Sequence, residues 1–105
     1  LYQHTRSFIL SHHNPYYYQG TCASGIGSPH TSKNYIWHIA LSMQGLTGTK
    51  EEAKKMINLI LETSNNEGLC HEGFNKDEPS EYTRFWFAWA NSLFAELVYQ
   101  TYFVK

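Results

Sequence analysis

The pattern of apolar and polar residues along the chain predicts four helices. Apolar residues recur at helical spacing in four separate stretches. Asn14-Pro15 ends the first stretch, because proline disfavours the helical conformation in the residue before it. Thr49 and Glu52 are three residues apart, the spacing of a capping box, and this marks the start of the third stretch. The four predicted helices cover residues 1–12, 35–44, 49–64 and 82–102.

The lengths of the connections indicate where a functional site would lie. The connection between the second and third helices has about four residues, which is typical of antiparallel neighbours. The other two, residues 14–34 and 65–81, are much longer, and loops of that length are usually functional or disordered. The first is rich in aromatic residues, with Tyr16–Tyr18 as a possible short strand, which argues against disorder. If the helices alternate in direction, a site forms where residues 16–30 lie beside residues 70–75.

The fourth predicted helix is apolar on nearly every side. Such a helix is buried in a large protein or lies in a membrane, and Arg84, Asn91 and Glu96 within it argue against a membrane span. Three other helices can hardly cover it, so we expect the chain to be part of a larger helical domain. Arg84 and Asn91 share one face and could donate hydrogen bonds to a ligand or to loop carbonyls. The apolar residues are Phe85, Trp86, Phe87, Trp89, Leu93, Phe94, Leu97 and Val98.

Composition narrows the classes of function. A length of 105 residues suits one small domain or part of a larger one, and a net charge of −1 argues against nucleic-acid and anionic-membrane partners. Aromatic residues make up 16% of the chain, which indicates a large core or a site that stacks on sugars or bases. Cys22 and Cys70 are too few for a disulfide scaffold, and we expect buried, inert thiols. Few cysteines and no glycosylation sequon favour a cytoplasmic location.

Glu72 is the strongest candidate for proton chemistry. It lies in a polar connection among apolar and aromatic neighbours, where a carboxylate can be held in the charge state that activates water. His71-Glu72 resembles the start of a zincin motif, but Asn75 stands where the second histidine is required, so that class is excluded. His30, shortly before the second helix, either contacts a ligand or organises its loop through a hydrogen bond.

Four ordered phrases, LSHHNPYYYQG, GIGSPHTSKNYIWHIAL, LCHEGF and YTRFWFAWANSLFAEL, resemble the C-terminal part of glycoside hydrolase family 125. The resemblance covers essentially the whole chain. It implies an all-α fold, in which residues 1–105 are about the last quarter of a single (α/α)6 catalytic barrel. The two long loops would then lie on the active-site rim.

The same resemblance implies a function and a role for Glu72. The family consists of metal-independent exo-α-1,6-mannosidases that invert the anomeric carbon, with an aspartate as general acid and a glutamate as general base. The glutamate belongs to a His-Glu-x-Phe motif, which corresponds here to residues 71–74 and makes Glu72 the base. The aspartate motif has no match in this chain. The family more often has Ser at Gly73 and Pro at His38; neither difference touches the carboxylate, although Gly73 could loosen the loop.

The implied substrate is an oligosaccharide of the N-glycan or mannan type that ends in α-1,6-linked mannose. No metal or cofactor is implied. Aromatic side chains on the rim could stack on the sugar ring, and polar ones could bind its hydroxyl groups. The predicted substrate-binding residues are Tyr18, His30, Trp37, His71, Arg84 and Asn91.

Two other classes stay open at this point. One is a different (α/α)6 carbohydrate-active enzyme, a hydrolase or a lyase, that uses Glu72 in another role. The other is a helical sugar-binding or protein-interaction module without turnover. Hydrolysis of α-1,6-mannobiose by the full-length protein would separate an enzyme from a binding module, and a comparison with other glycosides would separate the two enzyme classes.

Overall fold

The computed structural model describes residues 2–11, 13–28, 33–64, 70–83 and 87–104. These ranges contain four helices and five short strands. In chain order the elements are α1 (Tyr2–Ile9), β1 (Tyr17–Gln19), β2 (Ser24–Ile26), β3 (Tyr35–Trp37), α2 (His38–Leu46), α3 (Lys50–Thr63), β4 (Gly73–Asn75), β5 (Tyr82–Thr83) and α4 (Ala88–Tyr102).

The strands show that the expectation of an all-α fold was wrong. β1 and β2 form one antiparallel pair, and β3, β4 and β5 form an antiparallel sheet in that order. Strands of two or three residues are too short to produce a recognisable alternation of apolar and polar residues. Tyr35–Trp37 was assigned to the second helix, although aromatic and β-branched residues favour a strand. The possible strand at Tyr16–Tyr18 is present as β1, one residue further along.

The start of α3 agrees with its prediction. Thr49 is the N-cap, and its side chain accepts a hydrogen bond from the Glu52 N–H at 3.2 Å. The Glu52 carboxylate binds the Arg6 guanidinium at 2.6 Å and the Gln44 amide at 2.9 Å. One residue at the start of α3 therefore also connects α1 and α2 to this helix.

In the described ranges, a core of buried apolar residues joins α2, α3 and α4 to the three-stranded sheet. Ile36 and Phe74 are paired across β3 and β4, and both are fully buried. α2 and α4 approach closely at Gly45, where a Cβ would lie only 2.8 Å from the Leu97 side chain. Burial of each large apolar side chain contributes about 1.5–3 kcal/mol, so this core attaches the sheet firmly to the helices. The buried apolar residues are Ala23, Ile36, Leu41, Ala53, Met56, Ile57, Ile60, Cys70, Phe74, Ala90 and Leu97.

α4 is only partly covered by the rest of the described chain. Ala90, Leu97 and Thr101 are buried, whereas Trp89 is 66% exposed and Phe103 73% exposed. The expectation that three other helices cannot cover this helix is confirmed. Its predicted start at residue 82 was wrong, because residues 82–83 form β5 and the helix begins at residue 88. No helix in the described ranges has the length and apolarity of a membrane span.

Candidate active site

The two long connections contact each other. The Cys22 N–H in the first donates to the Lys76 carbonyl in the second at 3.0 Å, and β3, directly after the first, pairs with β4 in the second. The Lys76 N–H in turn donates to the Asn34 carbonyl at 3.0 Å. The Thr21 N–H, at 2.7 Å from the Asp77 carboxylate, and the Lys76 ammonium lower the pKa of Asp77. Residues 21–22 of the first connection thus contact residues 76–77 of the second, directly after the predicted range, and the position of residues 16–30 beside residues 70–75 stays a prediction.

Residues 70–72, hereafter the Glu72 segment, lie just before β4. Three consecutive backbone N–H groups in this segment are each bound by a different element. The acceptors are a side-chain amide on α4, an imidazole on α2 and a backbone carbonyl on β5. The hydrogen bonds are Cys70 N to Asn91 Oδ1 (3.1 Å), His71 N to His38 Nδ1 (2.8 Å) and Glu72 N to Thr83 O (3.0 Å).

Asn91 fixes the first residue of the segment from both sides. Its Oδ1 accepts from the Cys70 N–H, and its Nδ2 donates to the Cys70 carbonyl at 3.4 Å and to the Phe87 carbonyl at 2.8 Å. The Phe87 N–H also donates to the Cys70 carbonyl at 3.1 Å. Both amide hydrogens of Asn91 are therefore committed to the backbone. Its role in this structure is to hold the loop, and the predicted contact to a sugar stays a prediction.

His38 binds the second residue of the segment from the start of α2. It is fully buried, and its Nδ1 accepts from the His71 N–H while its Nε2 lies 2.9 Å from Thr63 Oγ1. Burial, reinforced by the neighbouring His71, lowers the pKa of His38 from 6.5 to about 3, so the ring is neutral near pH 7. The sequence-based expectation was that residue 38 does not touch the Glu72 carboxylate. The structure places its ring on the backbone of the adjacent residue.

The His71 side chain lies inside an aromatic stack. Its ring is 3.8 Å from the Tyr82 ring at an interplanar angle of 7° and 5.5 Å from the His38 ring. Only 1% of its surface is exposed. His71 therefore supports the Glu72 segment from the interior of this chain, and its predicted contact to substrate stays a prediction. Glu72 itself is half-buried.

Trp37 and Tyr18 lie on strands of different sheets, β3 and β1, and have different surroundings. Trp37 is paired with Gly73, the residue after Glu72, and its side chain lines a cavity of about 410 Å³ between α1 and α2. Its Nε1 is buried and has no hydrogen-bond partner among the residues that the structure describes, so it retains a donor. Tyr18 is half-buried, lies opposite Gly25 in the β1–β2 pair and packs against the core.

Two predicted substrate-binding residues, His30 and Arg84, lie outside the described residues. The sequence analysis missed two side chains and one carbonyl that hold the Glu72 segment in place or support it. His38 and Thr63 gave no signal, because a contact between residues 25 or 33 positions apart leaves no trace in local periodicity. Thr83 was assigned to a helix, which hid its role as a strand acceptor.

The two cysteines differ. Cys70 is buried, and burial raises the pKa of its thiol to about 11, so the expected inert thiol is confirmed there. Cys22 is exposed, so the expectation of a buried residue was wrong, and its Sγ donates to the Asp77 carbonyl at 3.2 Å. Within the described ranges, no three His, Cys, Asp or Glu residues are grouped so that they could hold a metal ion.

Comparisons with known proteins match nearly the whole of this chain. The model of the family described as metal-independent alpha-mannosidase (GH125) matches residues 1–99. The Meiotically up-regulated gene 157 protein of Schizosaccharomyces pombe is 40% identical over 100 residues, which covers 93% of this chain and 20% of that protein. A solved structure of a Streptococcus pneumoniae metal-independent alpha mannosidase, in a non-productive complex with alpha-1,6-mannobiose, is 48% identical with a TM-score of 0.95. That match covers 99% of this chain and 25% of the other, so the chain spans a quarter or less of these relatives.

Proposed function

Because the chain belongs to the GH125 family of metal-independent alpha-mannosidases, we propose that the full-length protein is an exo-acting α-1,6-mannosidase with Glu72 as general base. The observation that carries the proposal is the fixation of the Glu72 segment. Three consecutive N–H groups bound by three elements hold the backbone of a half-buried carboxylate in one place. A general base must be held within hydrogen-bonding reach of the proton that it takes, and a fixed backbone favours such a position.

Glu72 would act on a water molecule rather than on the sugar. In an inverting glycosidase the ionised base takes a proton from the water that attacks the anomeric carbon, while an acid protonates the leaving oxygen. The two carboxyl groups in such enzymes are about 6.5–9.5 Å apart, which leaves room for the water. The acid would come from a part of the protein that this chain does not supply, because the family's aspartate motif has no match here.

The proposed substrate is a terminal α-1,6-linked mannose on an oligosaccharide. The related Streptococcus pneumoniae protein was crystallised with alpha-1,6-mannobiose, which supports this linkage. Trp37 lies opposite Gly73, the residue after Glu72, and retains an N–H donor and an aromatic ring. Tyr18 supplies a second aromatic ring from β1, which belongs to the other sheet. We assign the sugar-binding surface to these two residues together with His30 and Arg84. A cytoplasmic location remains a prediction, which cell fractionation can test.

The test is Glu72→Gln in the full-length protein. The amide keeps the shape of the side chain but cannot accept a proton, so kcat should fall by at least about 10²–10⁴-fold with little change in KM. Glu62→Gln is the matched control, because Glu62 is an exposed acid on α3. Near-normal turnover of the Glu72 variant would mean that another residue is the base.

Two further measurements test the finer parts of the proposal. Proton NMR in the first minutes of the reaction should show β-mannose, because direct displacement by water inverts the anomeric carbon. Initial release of α-mannose would contradict an inverting mechanism. Rates with α-1,2-, α-1,3- and α-1,6-linked mannobiose should favour the last, and equal rates would contradict the linkage specificity.

A further inference from the structure

The hydrogen bonds around His38 fix the position of its single proton. His38 Nδ1 accepts from the His71 N–H, so this nitrogen carries no hydrogen. Thr63 Oγ1 donates to the Leu59 carbonyl at 2.8 Å, which leaves the oxygen free to accept from His38 Nε2 at 2.9 Å. A neutral imidazole with its hydrogen on Nε2 satisfies every group in this chain of hydrogen bonds. The opposite tautomer would place two N–H groups against each other at His71.

The surroundings of the ring leave it no other orientation that meets both partners. The His38 ring lies 5.5 Å from the His71 ring and 4.8 Å from the Phe74 ring. His38 and Phe74 are completely buried, so closely packed neighbours restrict rotation of the imidazole. The direction of its Nδ1 lone pair is thereby set by the core.

We propose that His38 is a positioning residue for Glu72, acting through the His71 N–H that it binds. The buried His38 ring holds the His71 N–H at 2.8 Å and so fixes the position of the His71 backbone. That next residue is Glu72, whose own N–H is bound to the carbonyl of Thr83. This inference rests on the proposed role of Glu72 as general base, because positioning matters for rate only if that carboxylate reacts.

The low pKa of His38 agrees with this role. Protonation would place a hydrogen on Nδ1, where the His71 N–H already points, and would break the contact. With a pKa of about 3, caused mainly by burial, the ring stays neutral at neutral and mildly acidic pH and keeps Nδ1 as an acceptor. The contact to the His71 N–H therefore persists over this pH range.

Two substitutions in the full-length protein separate the two ends of the ring. In His38→Asn, the amide oxygen can replace Nδ1 as acceptor for the His71 N–H, while the contact to Thr63 is lost. In His38→Gln, the amide nitrogen can replace Nε2 as donor to Thr63, while the acceptor for His71 is lost. We expect kcat to stay within a few-fold of the unmutated value for Asn. For Gln we expect a fall of about 10-fold or more with little change in KM, because a displacement near 1 Å can cost about 10²-fold in rate.

Stability supplies the internal control for this pair. His38→Asn removes more volume from the buried site than His38→Gln. If His38 only fills space in the core, the Asn variant should therefore have both the lower stability and the lower kcat. If His38 positions Glu72, the Asn variant should be less stable than the Gln variant but have the higher kcat. If kcat falls in the same order as stability, or falls equally in both variants, the proposal is wrong.

Two additional measurements test the proposal when the His38 variants fail to fold and separate it from the proposed function of Glu72. Nitrogen-15 NMR of the histidine side chains in the unmutated protein should show His38 protonated at Nε2 and bare at Nδ1, and a hydrogen on Nδ1 would overturn the proposal even if both variants fail to fold. Glu72→Gln is measured in parallel. Near-normal turnover of that variant refutes the proposed function, whereas an inactive Glu72→Gln combined with equal His38 variants refutes only the positioning role.

Discussion

Replacing Asn91 with Asp keeps the size of the side chain but exchanges its two donors for an acceptor. One carboxylate oxygen can still accept from the Cys70 N–H. The other would face the carbonyls of Cys70 and Phe87, to which the native amide donates at 3.4 and 2.8 Å. The substitution therefore changes the sign of the interaction at two contacts and leaves the third intact.

The loss in the free energy of unfolding follows from the hydrogen bonds that the substitution removes. Two lost hydrogen bonds are worth about 1–3 kcal/mol together. Neither carbonyl is left without a donor, because the Phe87 N–H still reaches Cys70 O at 3.1 Å and the Asn91 N–H still reaches Phe87 O at 3.0 Å. Repulsion between the new carboxylate and the two oxygens raises its pKa, and each unit of that rise adds about 1.4 kcal/mol. We expect a total loss of about 2–4 kcal/mol near pH 7.

Denaturant unfolding of the full-length protein measures this loss, and turnover measures its effect on the Glu72 segment. Asn58→Asp is the matched control, because Asn58 is exposed on α3 and gains the same charge. The raised pKa of the carboxyl introduced at position 91 means that the penalty applies above that pKa and disappears as acid protonates the group. The difference in stability from the unmutated protein should thus narrow between pH 7 and pH 4. An Asn91→Asp variant as stable and as active as the Asn58→Asp variant would refute the reasoning.

Three further predictions concern the pH dependence of stability, the removal of metal ions and the isolated chain. Because the pKa of His38 falls from 6.5 to about 3 on folding, its contribution to stability is present above pH 6.5 and lost on acidification, by at most about 1.4 kcal/mol per pH unit. Denaturant midpoints should therefore fall more steeply between pH 6.5 and 4 for the unmutated protein than for His38→Asn, and parallel curves would contradict this. Exhaustive EDTA treatment should leave α-mannosidase activity unchanged, as the family description implies, and a loss restored by zinc or calcium would contradict it. Residues 1–105 expressed alone should lack activity and melt broadly, since Trp89 and Phe103 expose apolar surface, and a sharp cooperative melt of a monomer would show otherwise.

Local signals in the sequence predict the helices better than the strands. α3 could be located because Thr49 caps it and because its apolar residues recur regularly, and both signals lie within the helix itself. Tyr35–Trp37 could not be separated from α2, because the strand runs directly into the helix without a breaking residue. Tyr82–Thr83 is too short to show any period, and it becomes a strand only because β4 provides a partner.

The candidate site could likewise be predicted only in part from the sequence. Glu72 could be singled out because the residues around it in the chain are unusual for an acidic residue. The groups that bind its backbone could not, because His38 and Asn91 are 33 and 21 residues away from their partners in the Glu72 segment. Asn91 was singled out for its polarity in an apolar helix, but polarity alone does not distinguish a sugar contact from a backbone contact.

The three N–H groups at positions 70–72 also provide three separate reporters of motion. An amide proton exchanges with solvent when its hydrogen bond opens, and neighbouring amides bound to one element usually exchange together. Here Cys70, His71 and Glu72 depend on α4, α2 and β5 respectively. Their exchange rates should differ although they are adjacent in the chain. A ligand that stabilises one of these elements would slow exchange at one amide and leave its two neighbours unchanged.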